Sequence, residues 1–234
     1  MNIIVTGASR GIGYETVKQF AAAGQNKILA VSRNIAGLEA LRRDCEREHA
    51  GSKIIPLAID ITGNEFESRV IREASENLGR VDILLNNAGA LVNKPMEKLT
   101  DVDFNFMFNV NVKSVFLLIK SLLPYFRPGA HIVNISSMGG IQGSVKFNGL
   151  SLYSASKGAL AVLTECMALE LKDRGISVNC LALGAAQTEM LAEAFPGYQA
   201  PLSATEMAGF IADFSMNGHK WFNGKILPVA LSTP

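Results

Sequence analysis

The chain has 234 residues, 48% of them hydrophobic and 18% charged, with a formal net charge of +1. That length suits one α/β domain with a well-buried core, and so small a charge supplies no basic face for nucleic acid or for a membrane surface. Three cysteines, Cys45, Cys166 and Cys180, lack the spacing of a disulfide framework or a metal site, so no metal is expected and a reducing, cytoplasmic setting is.

The first strand pattern, Asn2–Thr6, is apolar and β-branched almost from the initiator Met, which leaves no room for a secretion signal. Further strand patterns follow at Lys27–Ser32, Lys53–Asp60, Val81–Asn86, Ala130–Ser136, Ser177–Leu183 and Lys225–Val229, with helical patterns between them. Alternation of this kind predicts a single doubly wound Rossmann-type domain over residues 1–234, with a parallel seven-stranded sheet and helices on both faces. Helix starts are expected at Thr62, Thr100 and Ser203, each followed three residues later by an acid, Glu65, Asp103 and Glu206. The apolar stretch Val115–Phe126 carries Lys120 and Pro124 and is too short to cross a bilayer, so it reads as a buried helix. Pro196–Ser203 reads as a loop beside the active site.

Between the first strand and the first helix lies Thr6-Gly7-Ala8-Ser9-Arg10-Gly11-Ile12-Gly13. Glycines there permit a tight turn and a close backbone approach, and the helix N-terminus behind them attracts a diphosphate. The second strand ends Val31-Ser32-Arg33, without the carboxylate that would accept from a ribose 2′-OH. Arg33 and Arg10 are instead placed to clamp a 2′-phosphate, which predicts NADP(H) rather than NAD(H).

Tyr153-Ser154-Ala155-Ser156-Lys157 opens a helical pattern running to about Lys172, and the i, i+4 spacing sets a phenol and an ammonium on one face. Free tyrosine has a pKa of ~10; the lysine, together with the positive nicotinamide ring, is expected to lower it toward neutrality, at a cost on the order of 4 kcal/mol. Ile135-Ser136-Ser137 closes the fifth strand at the carboxyl edge, where open α/β sheets bind ligands. Ser137 is the hydroxyl expected to orient the substrate oxygen beside Tyr153, with Ser136 and Ser144 as the alternatives.

With these residues in place, the chain resembles the short-chain dehydrogenase/reductase family along nearly its whole length. The resemblance rests on Thr6–Gly13, on Asp60 closing the third strand, on Asn86-Asn87-Ala88-Gly89 after the fourth, on Asn111 in the following helix, and on Ser137, Tyr153 and Lys157. It implies that Asn111, Ser137, Tyr153 and Lys157 are the catalytic set, with Tyr153 the general acid in reduction and Asn111 anchoring a water that links Lys157 to solvent. It also implies a cofactor set of Gly7, Ser9, Arg10, Gly11, Ile12, Gly13, Ser32, Arg33, Asp60, Ile61, Asn87, Ala88, Gly89, Tyr153, Lys157, Gly184 and Thr188. Within that set Asp60 meets the adenine, Lys157 the nicotinamide ribose and Thr188 the carboxamide.

Three departures stand out. Leu183-Gly184 replaces the usual Pro-Gly after the sixth strand; the interval from Ser137 to Tyr153 is longer than usual; and the chain closes without the usual Asp-Gly-Gly. A short substrate loop at 189–202 leaves an open pocket, which suits a carrier-bound acyl thioester, and the pattern is most similar to 3-oxoacyl-acyl-carrier-protein reductases. Arg127 and Arg174 are candidates to face an acidic carrier. The other substrates considered are simple ketones, sugars and steroid-like carbonyls, and the rival of another class is a non-catalytic NADP sensor. A homo-oligomer, dimer or tetramer, is expected through the apolar faces of the helices at Asp103–Tyr125 and Ser154–Lys172.

Overall fold

A computed structural model gives the structure of residues 1–231; the last three residues of the expected domain, 232–234, lie outside the described residues. Seven strands form its main sheet: β1 (Asn2–Thr6), β2 (Lys27–Ser32), β3 (Lys53–Ala58), β4 (Val81–Asn86), β5 (Phe126–Ser137), β6 (Ser177–Leu183) and β9 (Ile226–Val229). All neighbours run parallel, in the order β3-β2-β1-β4-β5-β6-β9. The chain winds outward from β1 in one direction and from β4 in the other, so a crevice forms between the carboxyl ends of those two strands.

Successive strand residues point to opposite faces, and each face has its own core. Ile4, Leu29, Leu84, Ile132 and Val178 pack with α3 (Phe66–Glu73), α5 (Ser114–Leu122) and α6 (Ser151–Glu170). Ile3, Ile28, Ile83, Val133 and Leu181 pack with α1 (Gly11–Ala22), α2 (Ile35–Glu48) and α8 (Ala204–Asn217). Both sets are almost wholly removed from solvent, each such Ile or Leu contributing roughly 1.5–3 kcal/mol of burial. A second, two-stranded sheet pairs β7 (Ala186–Gln187) with β8 (Leu202–Ser203), so the expected loop at 196–203 ends in a short strand.

Several boundaries differ from those expected. Strand β5 begins at Phe126, four residues before Ala130, because the register slips between Val81 and Ile83 and the slip is absorbed at Pro128-Gly129, with Gly129 at φ 89. Thr100 and Ser203 do cap helices, α4 (Asp101–Phe108) and α8, each in a reciprocal box with its acid. Thr62 does not: its N–H and hydroxyl both donate to Asp60, and α3 starts after Glu65. Helices α4 and α5 are joined by a π-turn at Asn109–Lys113 into one run over 101–122. That run is longer than the stretch Val115–Phe126 suggested and, by length and composition, long enough to cross a bilayer. Its Val115, Leu118, Ile119 and Leu122 are nonetheless packed into the core beneath the sheet.

A buried imidazole at the amino end of β5 gives this fold an acid-sensitive point. His131 Nδ1 donates to the Ser215 carbonyl at 2.9 Å, and Nε2 accepts from the Asn179 amide at 3.0 Å, which holds the ring neutral. Burial pushes its pKa down to about 4. Between the ordinary value of ~6.5 and that figure, the unfolded chain binds a proton the native chain refuses, so stability falls as pH drops through this window and is complete above it. Denaturation curves from pH 7 to 4 should show a loss on the order of 3 kcal/mol that His131→Gln flattens; parallel curves for the two proteins would exclude this origin.

Candidate active site

The crevice between β1 and β4 is built by the glycine turn and the segment after β4. Gly7 and Gly11 adopt φ 71 and 56, a region that side chains disfavour. A Cβ on Gly7 would strike the Ala88 backbone, and one on Gly13 would strike the Gly7 carbonyl. Asn87 locks the arrangement: its Nδ2 donates to the carbonyls of Thr6 and Gly7, while the N–H groups of Asn87 and Ala88 donate to Thr6 Oγ1. Helix α1 then starts with no side-chain cap and no acid in its first turn. Its free N–H groups and positive dipole end face a backbone cradle, and these residues fit the diphosphate of a dinucleotide.

Along the rim, Ser9 Oγ and Ser32 Oγ share a hydrogen bond of 2.7 Å, tying the turn to the end of β2. Ile12 and Ile61 are half-buried neighbours of the two cores. Arg33 lies 3.9 Å from Asp60, and Arg10 lies 2.9 Å from Glu193. The two arginines of the expected clamp thus each rest against a carboxylate. Asp60 is held ionised mainly by the Thr62 backbone N–H, then by its hydroxyl and Arg33, which outweigh its partial burial.

Beyond the crevice, β5 delivers Ser137 and the start of α6 delivers Tyr153 and Lys157. The three serines considered at this edge have different partners. Ser136 is buried and donates to the Lys157 carbonyl at 2.8 Å, pinning α6 to β5. Ser144 donates to the Met138 and Ile141 carbonyls inside the long loop. Ser137 accepts from the Gly139 N–H at 3.2 Å, and its hydroxyl lies near enough to the Tyr153 phenol to act on its pKa.

Lys157 is 3% exposed, donates to the Ile135 carbonyl at 2.8 Å, and stands 5.9 Å over the Tyr153 ring. Among the described residues no carboxylate pairs with it, and burial brings its pKa down to about 8. Desolvation also raises the Tyr153 phenol above its ordinary value, with only the neighbouring Ser137 hydroxyl opposing. Acidification of the phenol is expected from the lysine and the positive nicotinamide ring acting together, and the lysine alone does not outweigh desolvation of the phenol. The ammonium is spent on a backbone carbonyl, and desolvation governs both groups.

Asn111, fully buried on the π-turn, accepts from the Ala90 N–H and donates to the Ala90 carbonyl and to Ser156 Oγ. Both its amide hydrogens are committed to bracing the segment after Gly89 against α6, while its oxygen, which accepts one bond, keeps a lone pair free. A second buried thread joins β4, β5 and α6: Asn86 donates to Asn134 at 2.8 Å, and Asn134 to Thr164 at 2.9 Å. Gly184 keeps its place after β6 and donates to the Val229 carbonyl, while Leu183 pairs with both Ser137 and Val229. A leucine where proline was expected thus extends the strand by one fully paired residue. Thr188 caps α7 (Glu189–Ala194) by accepting from the Leu191 N–H.

Arg127 and Arg174 are not near this site. They precede the core of β5 and the start of β6, at the amino edge of the sheet, and are bound to Asp82 and to the Leu123 carbonyl. The slip lets Phe126–His131 advance only as far as Val81–Ile83, and the stretch from His131 to Ser137 then spans about 20 Å, which sets both arginines at the opposite edge of the sheet from Tyr153.

The profile of the short chain dehydrogenase family matches residues 1–199. An NADPH carbonyl reductase of Sus scrofa is 36% identical over 183 residues, 76% of this chain and 69% of that protein. A 3-oxoacyl-[acyl-carrier-protein] reductase of Thermotoga maritima is 32% identical over 189 residues, 80% of this chain and 74% of that one. In structure, a short chain dehydrogenase of Burkholderia cenocepacia, solved in complex with NADP, superposes with TM-score 0.87 at 29% identity, covering 97% of this chain and 95% of the other.

Proposed function

Because the chain belongs to the short-chain dehydrogenase family and is an oxidoreductase, we propose that it reduces a carbonyl compound with NADPH, using Tyr153 as acid and base. The observation that carries this reading is the meeting of Ser137, Tyr153 and Lys157 at the carboxyl edge beside an uncapped helix and its glycine cradle. When bound, the nicotinamide supplies the hydride or takes it back.

The protein's part is to orient the substrate and move one proton. The hydroxyls of Ser137 and Tyr153 point the substrate oxygen, and the phenol donates its proton to that oxygen as charge builds there. A raised phenol pKa suits this direction, since the proton stays on oxygen until an alkoxide calls for it. Lys157, too far from free solvent to act as a surface charge, holds the nicotinamide ribose and stabilises the phenolate left behind. Asn111 is a positioning residue, bracing α6 through Ser156.

The cofactor reading assigns the diphosphate to the turn through Gly13, the adenine to Asp60 and Ile61, and the 2′-phosphate to Ser9, Ser32, Arg33 and Arg10. Charge-assisted hydrogen bonds are worth roughly 1.5–3 kcal/mol each, so Arg33→Ala should weaken NADPH binding about 10- to 100-fold and leave NADH almost unchanged. Titration of both nucleotides checks this, and equal losses for the two would reject the assignment.

A groove of about 880 Å³ lies against the first turns of α6, lined by Met96, Ile141, Phe147, Leu150 and Ser154. None of Ser137, Tyr153 and Lys157 lines it, but Gly139 and Ser154 at its edge adjoin Ser137, and a bulky or carrier-tethered substrate, including a 3-oxoacyl thioester, would lie along it with only its carbonyl end reaching the phenol. Loss of reduced-nicotinamide absorbance, followed with an acetoacetyl thioester and with a panel of free ketones, separates the two. Tight NADPH binding with no turnover on any carbonyl would favour a sensor instead. The same reading includes a homo-oligomer, since Val102, Phe104 and Phe116 of the α4–α5 run and Val162 and Leu169 of α6 leave large apolar side chains in solvent. Light scattering of the purified chain tests it.

A further inference from the structure

Helix α7, in the short substrate loop, leans on the cofactor crevice as well as on the substrate side. Its Glu193 is paired with Arg10 at 2.9 Å, across 183 positions of sequence. Its first residue, Glu189, carries its carboxylate to within 3.4 Å of where a Cβ on Gly11 would stand, and Thr188 sits equally close. At the other end of the helix the Asn93 amide donates to the Ala194 carbonyl at 2.9 Å. A hollow of about 370 Å³ remains beneath, bounded by Gly11, Glu15, Thr188 and Glu189. Two carboxylates thus face a turn whose N–H groups suit an anion, and one of them holds an arginine that a 2′-phosphate would use.

This arrangement sets up a competition, and we infer that α7 is an acidic latch on the cofactor crevice: Glu193 holds Arg10 until a phosphate on the adenosine ribose takes it, so NADP releases the helix and NAD does not. The inference rests on the NADP reading above. Its physics is ordinary exchange of ion partners. Arg10 and Glu193 are 52% and 65% exposed, so their pair is weak. A phosphate dianion offers more charge and more acceptor oxygens than a carboxylate and wins the guanidinium. Once Arg10 is gone, Glu193 is left beside added negative charge, and the end of α7 that carries Glu193 and Ala194 is pushed from the crevice, with only the Asn93 amide restraining it. The nucleotide without the 2′-phosphate makes no claim on Arg10 and leaves the pair closed. Glu189 acts differently, because it faces the turn that receives the diphosphate common to both nucleotides.

Three variants separate these roles, read by nucleotide titration and by hydrogen exchange of amides 189–194. Losing an exposed ion pair frees about 0.2–1 kcal/mol, so Glu193→Gln should tighten NADPH roughly two- to fivefold and leave NADH unchanged. Glu189→Gln should tighten both nucleotides alike. Asn93→Ala should speed exchange in α7 without altering the NADPH to NADH ratio, which excludes simple loosening as the cause. In the unaltered protein, NADPH should speed exchange over 189–194, NADH should not, and Glu193→Gln should exchange fast with no nucleotide present. Tight NADPH binding that slows exchange in α7, or a ratio unmoved by Glu193→Gln, overturns the latch alone. Failure of both nucleotides to bind overturns the cofactor reading and the latch with it.

Discussion

Replacing Tyr153 with Phe should lower kcat/KM for carbonyl reduction by about 10²–10⁴-fold, the usual worth of a positioned general acid, while NADPH binds within a factor of two of its original strength. Phenylalanine keeps the ring that Lys157 overlies and removes only the oxygen, so the fold and the crevice between β1 and β4 are untouched. The loss belongs to the transition state, because the proton is needed when the alkoxide forms and hardly before. Ser137→Ala should cost less, since the phenol alone can still orient and protonate the substrate. Direction matters for pH. The phenol is held protonated beyond the ordinary tyrosine range by burial, so any fall in reduction from neutral into mildly alkaline solution should follow Lys157, whose pKa is about 8. Alcohol oxidation, which begins from the phenolate, should climb with pH. Steady-state rates in both directions across pH decide it, and a Phe variant retaining more than a tenth of the activity would remove Tyr153 from the chemistry.

The parts of this fold that were legible in the sequence are those set by short-range chemistry. Short, near-continuous apolar runs marked all seven strands of the main sheet, and Thr100 and Ser203 announced their helices because a capping box is complete within four residues. The glycine turn was legible for the same reason. What escaped was set by distant partners. Phe126 joins β5 only because Val81 is there to pair with it, and the Pro-Gly beside it reads locally as a stop. Thr62 looked like a cap until Asp60 claimed both its donors. The pairing of Arg10 with Glu193 had no local signal at all. The site's residues could be named from their types and order, but the electrostatics could not. A lysine four positions from a tyrosine suggests attraction, whereas burial of Lys157, turned to the Ile135 carbonyl beneath a half-buried Tyr153, is a property of the assembled core.

That burial makes Lys157 the second strong test, with opposite signs for stability and activity. Its pKa falls from an ordinary 10.5 to about 8 in the native chain. Between those values the unfolded chain carries a proton the folded one has released, so native stability rises with pH across that window and is at its lowest below it. At neutral pH the buried ammonium therefore costs on the order of 3 kcal/mol, partly offset by about 1 kcal/mol for its hydrogen bond to Ile135. Methionine fills nearly the same volume without the charge. Lys157→Met should thus stabilise the nucleotide-free protein at pH 7 by roughly 1–2 kcal/mol, raising Tm by a few degrees for a chain of this size. The gain should shrink as pH rises toward 10, where the parent lysine is already neutral. Turnover should fall at least 100-fold in the same variant, because the phenolate and the ribose both lose their partner. Calorimetry over pH beside steady-state rates would read the two effects together. A variant less stable than its parent at pH 7 would mean that Lys157 holds the core together, and the cost assigned to its charge would be wrong.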